Sequence, residues 1–553
     1  MIDNYFIADQ FSLLSKLMDI HGENSFRSKS YAIAAFNIEK LPVQLVTLPE
    51  DKISGLKGIG DSTGKKIIDI IQQGKLAALE DLVSKTPEGV IEMLSIKGLG
   101  PKKINTIWKD MQVENLGELL YACQENRLLL YKGFGAKTQQ NVMESIEFYF
   151  RNKGSFLYAE IESYALGIHN ELIKSFPGQL LGLTGSFRRQ NEIINEVEWI
   201  SAIPEPSISS FLKHHGIVQT AIRDEKLIYL GKENVPLTFS FTAPEQFYQQ
   251  LFNTSCSPEF LEAWQKKYPV KVSISEEEIF ALQQVNFIPP FLREDPAIIE
   301  KAFASPLPEV IQTDDIKAII HSHSNWSDGV NTIEEMAKAC IEKGYEYLVI
   351  SDHSKTAFYA NGLQEDRIRE QHKLIDELNA RYTPFKIFKS IESDILNDGS
   401  LDYPDHILST FDLVIASVHS NLKMTEEKAM ARLLKAIENP YITILGHMTG
   451  RLLLSRNGYP VNTGIIIDAC REHGVVIELN AHPRRLDLDW HFIPEAIRKG
   501  VTISINPDAH SIDGYNDIRY GVLAAQKGML TKENNLSSYS LQQFEKFLLS
   551  KSK

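Results

Sequence analysis

Four features absent or scarce in this chain narrow what it can be. No apolar run approaches the length that a bilayer-spanning helix requires, so no membrane partner is expected. The start, Met1-Ile2-Asp3-Asn4, has no basic segment leading into an apolar run, so no signal peptide is expected either. Cysteine is scarce, at 4 in 553 residues. Cys123, Cys256, Cys340 and Cys470 are scattered without paired spacing, which points away from a disulfide framework and from a cysteine zinc site. The expected compartment is a reducing cytoplasm. Excess positive charge is absent too: 58 Lys and Arg stand against 72 Asp and Glu, a net charge of −14. That excludes gripping nucleic acid with the whole surface, but not local basic patches or binding through backbone amides. The remaining composition, 43% hydrophobic and 24% charged, is that of an ordinary globular protein. The length exceeds what one core organises, so roughly two to four domains are expected.

What is present is concentrated in the last third. Seven short apolar runs there each end in a polar or metal-type residue. Ile319-Ile320 leads into His321 and His323, Tyr347–Ile350 into Asp352 and His353, and Lys386–Ile391 into Glu392. Leu413–Val418 leads into His419, Ile442–Leu445 into His447, Val475–Leu479 into Asn480, and Val501–Ile505 into Asp508 and His510. Short β-branched runs separated by helical patterns, such as Thr332–Lys343 and Thr425–Ile437, read as buried parallel strands of a strand-helix barrel. Functional groups in such barrels sit where the strands end. Any single histidine could be a capped loop residue; seven coinciding strand ends are a site.

The N-terminal part carries a different repeat. Lys57-Gly58-Ile59-Gly60, Lys97-Gly98-Leu99-Gly100 and Lys132-Gly133-Phe134-Gly135 each precede a lysine-bearing helix, contributing Lys65 and Lys66, Lys102, and Lys137. Glycines allow a tight hairpin with outward-facing N–H groups, and the following helix N-terminus attracts phosphate. Three copies point to helix-hairpin-helix contacts with a DNA backbone, which position without reading bases. Between the two ends, the run Leu181–Thr184 leads into Gly185-Ser186-Phe187-Arg188-Arg189, a turn suited to phosphate. Glu196 and Glu198 follow on one face of a strand, a pattern that can hold paired divalent cations. Residues 286–314 are Pro-rich and acidic and read as a linker into the barrel.

These motifs resemble the bacterial family X DNA polymerases that carry a C-terminal polymerase-and-histidinol-phosphatase (PHP) domain, over essentially the whole chain. The resemblance implies a multi-domain α+β and α/β protein. Residues 1–80 would be a lyase-type helical DNA-binding domain, and 81–155 a fingers-like helix-hairpin-helix domain. A nucleotidyltransferase-like palm would span 156–245, a thumb-like region and linker 246–314, and a distorted (β/α)7 PHP barrel 315–553. It implies a metal set of His321, His323, Asp328, His353, Glu392, His419, His447, Asp508 and His510, enough for two or three divalent ions. Mixed imidazole and carboxylate donors suit manganese, with zinc or iron as alternatives, better than magnesium. It implies manganese-dependent 3′–5′ exonuclease activity on DNA. Asp352 would orient a ligating histidine. Arg451, Arg484 and Arg485, following ligand-bearing strands, would hold the flanking phosphate. Lys66 falls where the family's lyase nucleophile stands, and contact with a 5′-phosphate is the alternative role.

The palm departs from the family pattern. Glu196 and Glu198 replace an Asp-x-Asp pair, and Thr238 replaces a third aspartate. Two magnesium ions about 3.5–4 Å apart need short, fixed carboxylates. Displacements near 1 Å can cost on the order of 100-fold in rate. Magnesium binding at the palm is therefore doubtful, and polymerisation is expected to be lost or weak. Gly185, Ser186, Arg188 and Arg189 survive, leaving room for nucleotide or DNA binding. The expected function is DNA repair by a metal-dependent exonuclease acting on gapped, nicked or 3′-ended DNA. The alternatives are an active gap-filling polymerase with barrel proofreading and, last, a small-molecule phosphatase of the histidinol-phosphatase type.

Overall fold

The computed structural model describes residues 2–39, 41, 43–56, 59–151 and 154–551. Lys57 and Gly58 of the first hairpin lie outside the described residues. The chain divides into two compact units, Met1–Glu147 and Phe148–Lys553.

The first unit is helical. Asn4–Ile20 packs on Ser25–Glu39, burying Ile7, Phe11 and Leu14 against Tyr31, Ala34 and Ile38. Gly60 caps helix Asp61–Gln73. Gly100 precedes helix Pro101–Asn105, and Phe134-Gly135 leads into helix Ala136–Arg151. Gly98 and Gly133 take φ of +92° and +96°, a backbone that side chains disfavour. Ile59, Leu99 and Phe134, the apolar residues inside the hairpins, are buried, and the glycines of the second and third hairpins are exposed.

The second unit opens with a five-stranded sheet. Its strands are β1 (Leu181–Thr184), β2 (Val197–Ser201), β3 (Val218–Arg223), β4 (Lys226–Leu230) and β5 (Pro236–Phe241). The order is β1-β2-β5-β4-β3, and only β2 and β5 run parallel. Register pairs Glu198 with Thr184 on one side and Thr238 on the other. Trp199 and Phe239 stack with ring centroids 4.8 Å apart beneath the sheet, where helix Tyr158–Ser175 covers them. A helical cluster around Phe252, Phe260, Trp264 and Phe280 follows. The stretch expected as a linker contains helix Ala297–Ala304, whose Ile298, Ile299 and Ala302 are buried in that cluster. The prolines start and end the helix rather than extending the chain.

The last 240 or so residues form the barrel. Seven parallel strands follow one another in chain order: β6 (Ala318–Ile319), β7 (Tyr347–Ile350), β8 (Lys386–Asp394), β9 (Leu413–Ser417), β10 (Ile442–Leu445), β11 (Val476–Asn480) and β12 (Ile503–Asn506). The seam nearly closes just beyond the strands, where the His323 N–H donates to the Ala509 carbonyl at 2.8 Å. Alternate residues point inward (Ile320, Tyr347, Val349, Ile415, Ile444, Val476) and outward onto the helices (Leu348, Ile350, Val414, Leu445, Ile477). Phe544 of the last helix stoppers the far end, stacked on Tyr347 at 4.6 Å. The polar end of every strand is thereby left on the opposite face.

Candidate metal centre

The strand ends converge. Eight of the nine expected ligands are buried, and His419 is slightly exposed. Glu392, at 1% exposure, stands at the middle. Its Oε1 lies 3.0 Å from His447 Nε2, 3.1 Å from His419 Nε2 and 3.3 Å from His321 Nε2. Its Oε2 lies 3.0 Å from His353 Nδ1 and 3.6 Å from His323 Nε2. Asp508 Oδ1 is 3.0 Å from His323 Nε2 and 3.4 Å from His321 Nε2. Asp328 faces His353 at 3.5 Å and His510 at 3.4 Å.

Three groups have donor atoms mutually within 4.8 Å: His323, Asp328, His353 and His510; His321, His323 and Asp508; and His353, Glu392 and His419. His323 and His353 are each shared between two groups, the arrangement a cluster of ions requires. Gly329 makes room for Asp328, since a Cβ there would fall 2.1 Å from the His323 carbonyl. His321 and Asp508 adopt left-handed backbones, with φ of 63° and 52°. Strain of this kind persists where the surroundings over-determine it, as the seam does here.

Whether these residues fit metal ions is answered by their unused atoms. His321 Nε2, His323 Nδ1, both Asp328 oxygens, His353 Nδ1 and Glu392 Oε2 are buried without a hydrogen bond. Buried polar atoms are ordinarily paired. Donor atoms 3.0 Å apart that form no hydrogen bond, as in His353 and Glu392, are aimed at a common point rather than at each other. The donor set fits two or three divalent cations.

Protonation follows from burial and neighbours. Burial opposes charge on His419, but Glu392 and Asp394 outweigh it and lift the imidazole to about 10. Burial, reinforced by His510 and His353, pushes His323 down to about 3. The carboxyls of Glu392 and Asp508 stay well below the usual range: burial opposes this, and the neighbouring imidazoles prevail.

Two orienting carboxylates escape a reading of strand ends. Glu478, inside β11, accepts from His321 Nδ1 at 2.6 Å and from the His447 N–H at 3.1 Å. Asp394 accepts from His419 Nδ1 and from Thr356 Oγ1. Each fixes a tautomer that turns Nε2 toward the centre. A charged residue within the apolar run Val475–Leu479, and Asp394 two places from Glu392 on the same strand face, were the available signals.

Several expectations need correction. Asp352 bonds no histidine; it accepts from the Ser324 N–H and the Ser324, Ser327 and Gln371 side chains, pinning the loop that carries Asp328. Arg451 does not face the centre. Its Nε donates to the Arg485 carbonyl at 2.9 Å, its Nη1 to Asp489 at 2.6 Å, and its Nη2 to Glu192 at 2.8 Å. Arg484 is buried and paired with Glu160 at 2.7 Å. Arg485 lies against the ligands, 3.8 Å from Asp508.

The palm carboxylates are compensated rather than open. Glu196 pairs with Arg223 at 3.2 Å and accepts from Thr238 Oγ1. Glu198 pairs with Lys226 at 3.2 Å and is packed into the Gly185 turn, where a Cβ would fall 1.7 Å from its carboxylate. Burial raises the Glu198 carboxyl, against the pull of Lys226. The two arginines expected at phosphate are also spent: Arg188 on Glu276 and Ser255, Arg189 on Glu294 and the Cys256 carbonyl. The Ser186 carbonyl accepts from the Asn191 N–H at 3.1 Å. In the first unit, Lys66 donates to Ser62 at 3.4 Å and lies 5.8 Å from the Tyr31 ring. Lys103 donates to the Gly98 carbonyl, leaving Lys102 exposed beside its hairpin, as Lys65 and Lys137 are beside theirs.

A nearly closed parallel barrel with a buried histidine-carboxylate centre, joined to helix-hairpin-helix repeats, defines a PHP-type protein with nucleic-acid-binding modules. Family comparison agrees. A helix-hairpin-helix domain matches residues 2–76, a SAM-like helix-hairpin-helix tandem residues 90–147, and a PHP domain residues 320–482. The PHP match ends before Asp508 and His510, which the seam brings back to the centre. The DNA polymerase/3′-5′ exonuclease PolX of Bacillus subtilis (strain 168) is 33% identical over 558 residues, covering 96% of each chain. A probable phosphatase of Caldanaerobacter subterraneus subsp. tengcongensis is 30% identical over 207 residues, 34% of this chain and 74% of that one. A probable phosphatase of Thermoanaerobacter sp. (strain X514) is 27% identical over 214 residues, 35% of this chain and 80% of that one. The chain belongs to the bacterial family X DNA polymerases with a C-terminal PHP domain. Among the described residues, no helix is long and apolar enough to cross a membrane.

Proposed function

We propose that this protein is a DNA repair enzyme whose working centre is the barrel: a metal-dependent 3′–5′ exonuclease on gapped, nicked or 3′-ended DNA, with little or no polymerase activity. The observation that carries this reading is the contrast between two carboxylate sites in one chain. The barrel centre brings nine ligands together, and His321 Nε2, His323 Nδ1, His353 Nδ1, Glu392 Oε2 and both Asp328 oxygens there are buried without a hydrogen bond. The palm has two glutamates neutralised by Arg223 and Lys226 and a threonine beside them.

His321, His323, Asp328, His353, Glu392, His419, His447, Asp508 and His510 would hold the ions, with manganese best suited to the mixed donors. When bound, such ions polarise phosphate oxygens and supply a nucleophile from water at neutral pH. The chain's own side chains do the rest. Glu478 and Asp394 keep the imidazoles in the ligating tautomer, and Asp352 fixes the Asp328 loop. Arg485, buried beside Asp508, places a guanidinium next to the centre, where a bidentate grip on the flanking phosphate would set the scissile bond over it. The hairpins at Gly60, Gly98–Gly100 and Gly133–Gly135 supply backbone amides for the DNA phosphates, and the lysines beside them add charge. The domain division expected from the sequence, with 1–80 and 81–155 as DNA-binding modules, fits this role.

A second reading, retained gap-filling synthesis, draws on the Bacillus subtilis relative, whose name carries both activities and which spans 96% of the chain. One assay separates the two: end-labelled gapped primer-template with manganese, with and without nucleotides. Shortening of the primer in both conditions is expected. Net extension by a His419→Ala variant would overturn the claim of a lost polymerase.

A further inference from the structure

The barrel arginines that do not face the metal centre are held by the palm, and this gives the palm a second use. Arg451 lies just beyond β10, which carries His447, and its guanidinium grips the loop 482–489: Nε donates to the Arg485 carbonyl, and Nη2 to the Leu486 carbonyl. Leu486 sits at a φ of 43°, a strained backbone that needs outside support. The same Nη2 is anchored on Glu192 of the palm at 2.8 Å. One residue before Arg485, Arg484 reaches Glu160 of the palm at 2.7 Å and lies 6.0 Å from the Phe150 ring.

Both palm residues are tied to the first turn of one helix. Glu160 uses its other oxygen to accept from the Leu157 N–H at 3.0 Å in the first turn of helix Tyr158–Ser175. The Glu192 carbonyl accepts from the Tyr158 N–H at 3.0 Å, beside the paired strands Phe156–Leu157 and Ile193–Ile194. The loop so clamped carries Arg485, whose Nε stands 3.8 Å from the metal-set residue Asp508. Two further ties cross the same boundary: Arg519 to Glu162, and Lys527 Nζ to the Arg189 carbonyl at 2.8 Å.

We propose that Glu160 and Glu192 of the palm are positioning residues for the barrel, holding the 482–489 loop so that Arg485 meets the flanking phosphate of the DNA. The degenerate palm thereby acts as the fixed wall of the nuclease site. The inference rests on the nuclease reading of the barrel. Charge-assisted contacts to a guanidinium fork fix direction as well as distance. A misplacement of about 1 Å at a phosphate clamp is worth on the order of 100-fold in rate.

The test uses the full chain with manganese and a 3′-recessed DNA duplex. Steady-state kinetics are measured for the unmutated protein, Glu160→Gln, Glu192→Gln, the double variant and Glu192→Asp, with manganese affinity and Tm on the same samples. The double variant is expected to lose about 10-fold or more in kcat/KM, chiefly through KM. It should also show a shallower dependence of KM on salt, because a phosphate contact has been loosened. Manganese affinity should stay within about twofold, and Glu192→Asp should recover part of the loss. Unchanged DNA kinetics in the double variant overturn the inference. So does a loss matched by an equal fall in manganese affinity, or one that follows Tm with no rescue by Glu192→Asp. An unmutated chain that degrades no DNA refutes the nuclease reading and this inference together, a result distinct from an active chain with indifferent variants.

Discussion

Replacing Glu478 by Gln probes the centre at a residue outside the expected metal set. The Glu478 carboxylate accepts four hydrogen bonds: from His321 Nδ1 at 2.6 Å, Asn506 Nδ2 at 2.8 Å, and the His447 N–H and Asn480 Nδ2 at 3.1 Å each. A carboxylate accepts in every direction, whereas an amide must turn its NH2 toward at least one of these donors. If the NH2 faces His321, the proton moves to Nε2 and the ligating lone pair is lost. If it faces His447, that strand end is pushed away instead. Removing such an outer partner typically weakens metal binding 10–100-fold, about 1.4–2.8 kcal/mol. A further cost of about 1–3 kcal/mol for a buried unsatisfied donor falls on folding, so Tm should drop as well. Manganese titration by calorimetry, with circular dichroism as the control for folding, reads both effects. Manganese affinity within twofold of the unmutated protein would refute the role given to Glu478.

Three other outcomes follow from the same geometry. His419→Ala or Asp508→Ala should abolish DNA degradation at limiting manganese while leaving DNA binding intact, because each removes a ligand from a shared group; full nuclease activity in either variant would contradict the assignment. Manganese binding should release protons and strengthen with pH. His419 carries its proton in the metal-free protein up to about pH 10, and a ligating imidazole cannot keep it. Calorimetry in two buffers of different ionisation enthalpy measures that release, and identical heats would count against it. Restoring Glu196→Asp, Glu198→Asp and Thr238→Asp in a His419→Ala background should yield no primer extension until Arg223 and Lys226 are also neutralised, since both cations lie against the altered carboxylates.

Much of the barrel was legible because burial and chemistry alternate along its strands. Runs such as Tyr347–Ile350 are wholly buried, and the first polar residue beyond each run lies at the mouth. The reading failed where a partner lies far away in the chain. Arg451 follows a ligand-bearing strand as a phosphate-holding arginine would, but its partner Glu192 is 259 residues away, and Glu160 is 324 residues from Arg484. No local pattern announces such pairs. Glu478 was missed for the opposite reason. It sits inside a run that reads as strand core, and only the barrel's curvature shows that this core position faces His321.

The two carboxylate sites show why an inventory of acidic residues does not define a metal centre. Glu196 and Glu198 keep the charge that a cation needs, and lengthened side chains alone would weaken a site without closing it. Their counter-charges are the Arg223 guanidinium and the Lys226 ammonium. The Arg223 pair is exposed and worth little energetically, about 0–1 kcal/mol. Yet any entering ion meets a pair of carboxylates already balanced by two permanent cations, with no third carboxylate at Thr238. In the barrel, Asp328, Glu392 and Asp508 are balanced by the imidazoles of His353, His419 and His321 instead. An imidazole gives up its proton to become a ligand, so the same residue that compensates the acids in the free protein binds the metal when one arrives. The difference lies in the chemistry of the counter-charge: histidine can exchange its proton for a metal, and Arg223 and Lys226 cannot.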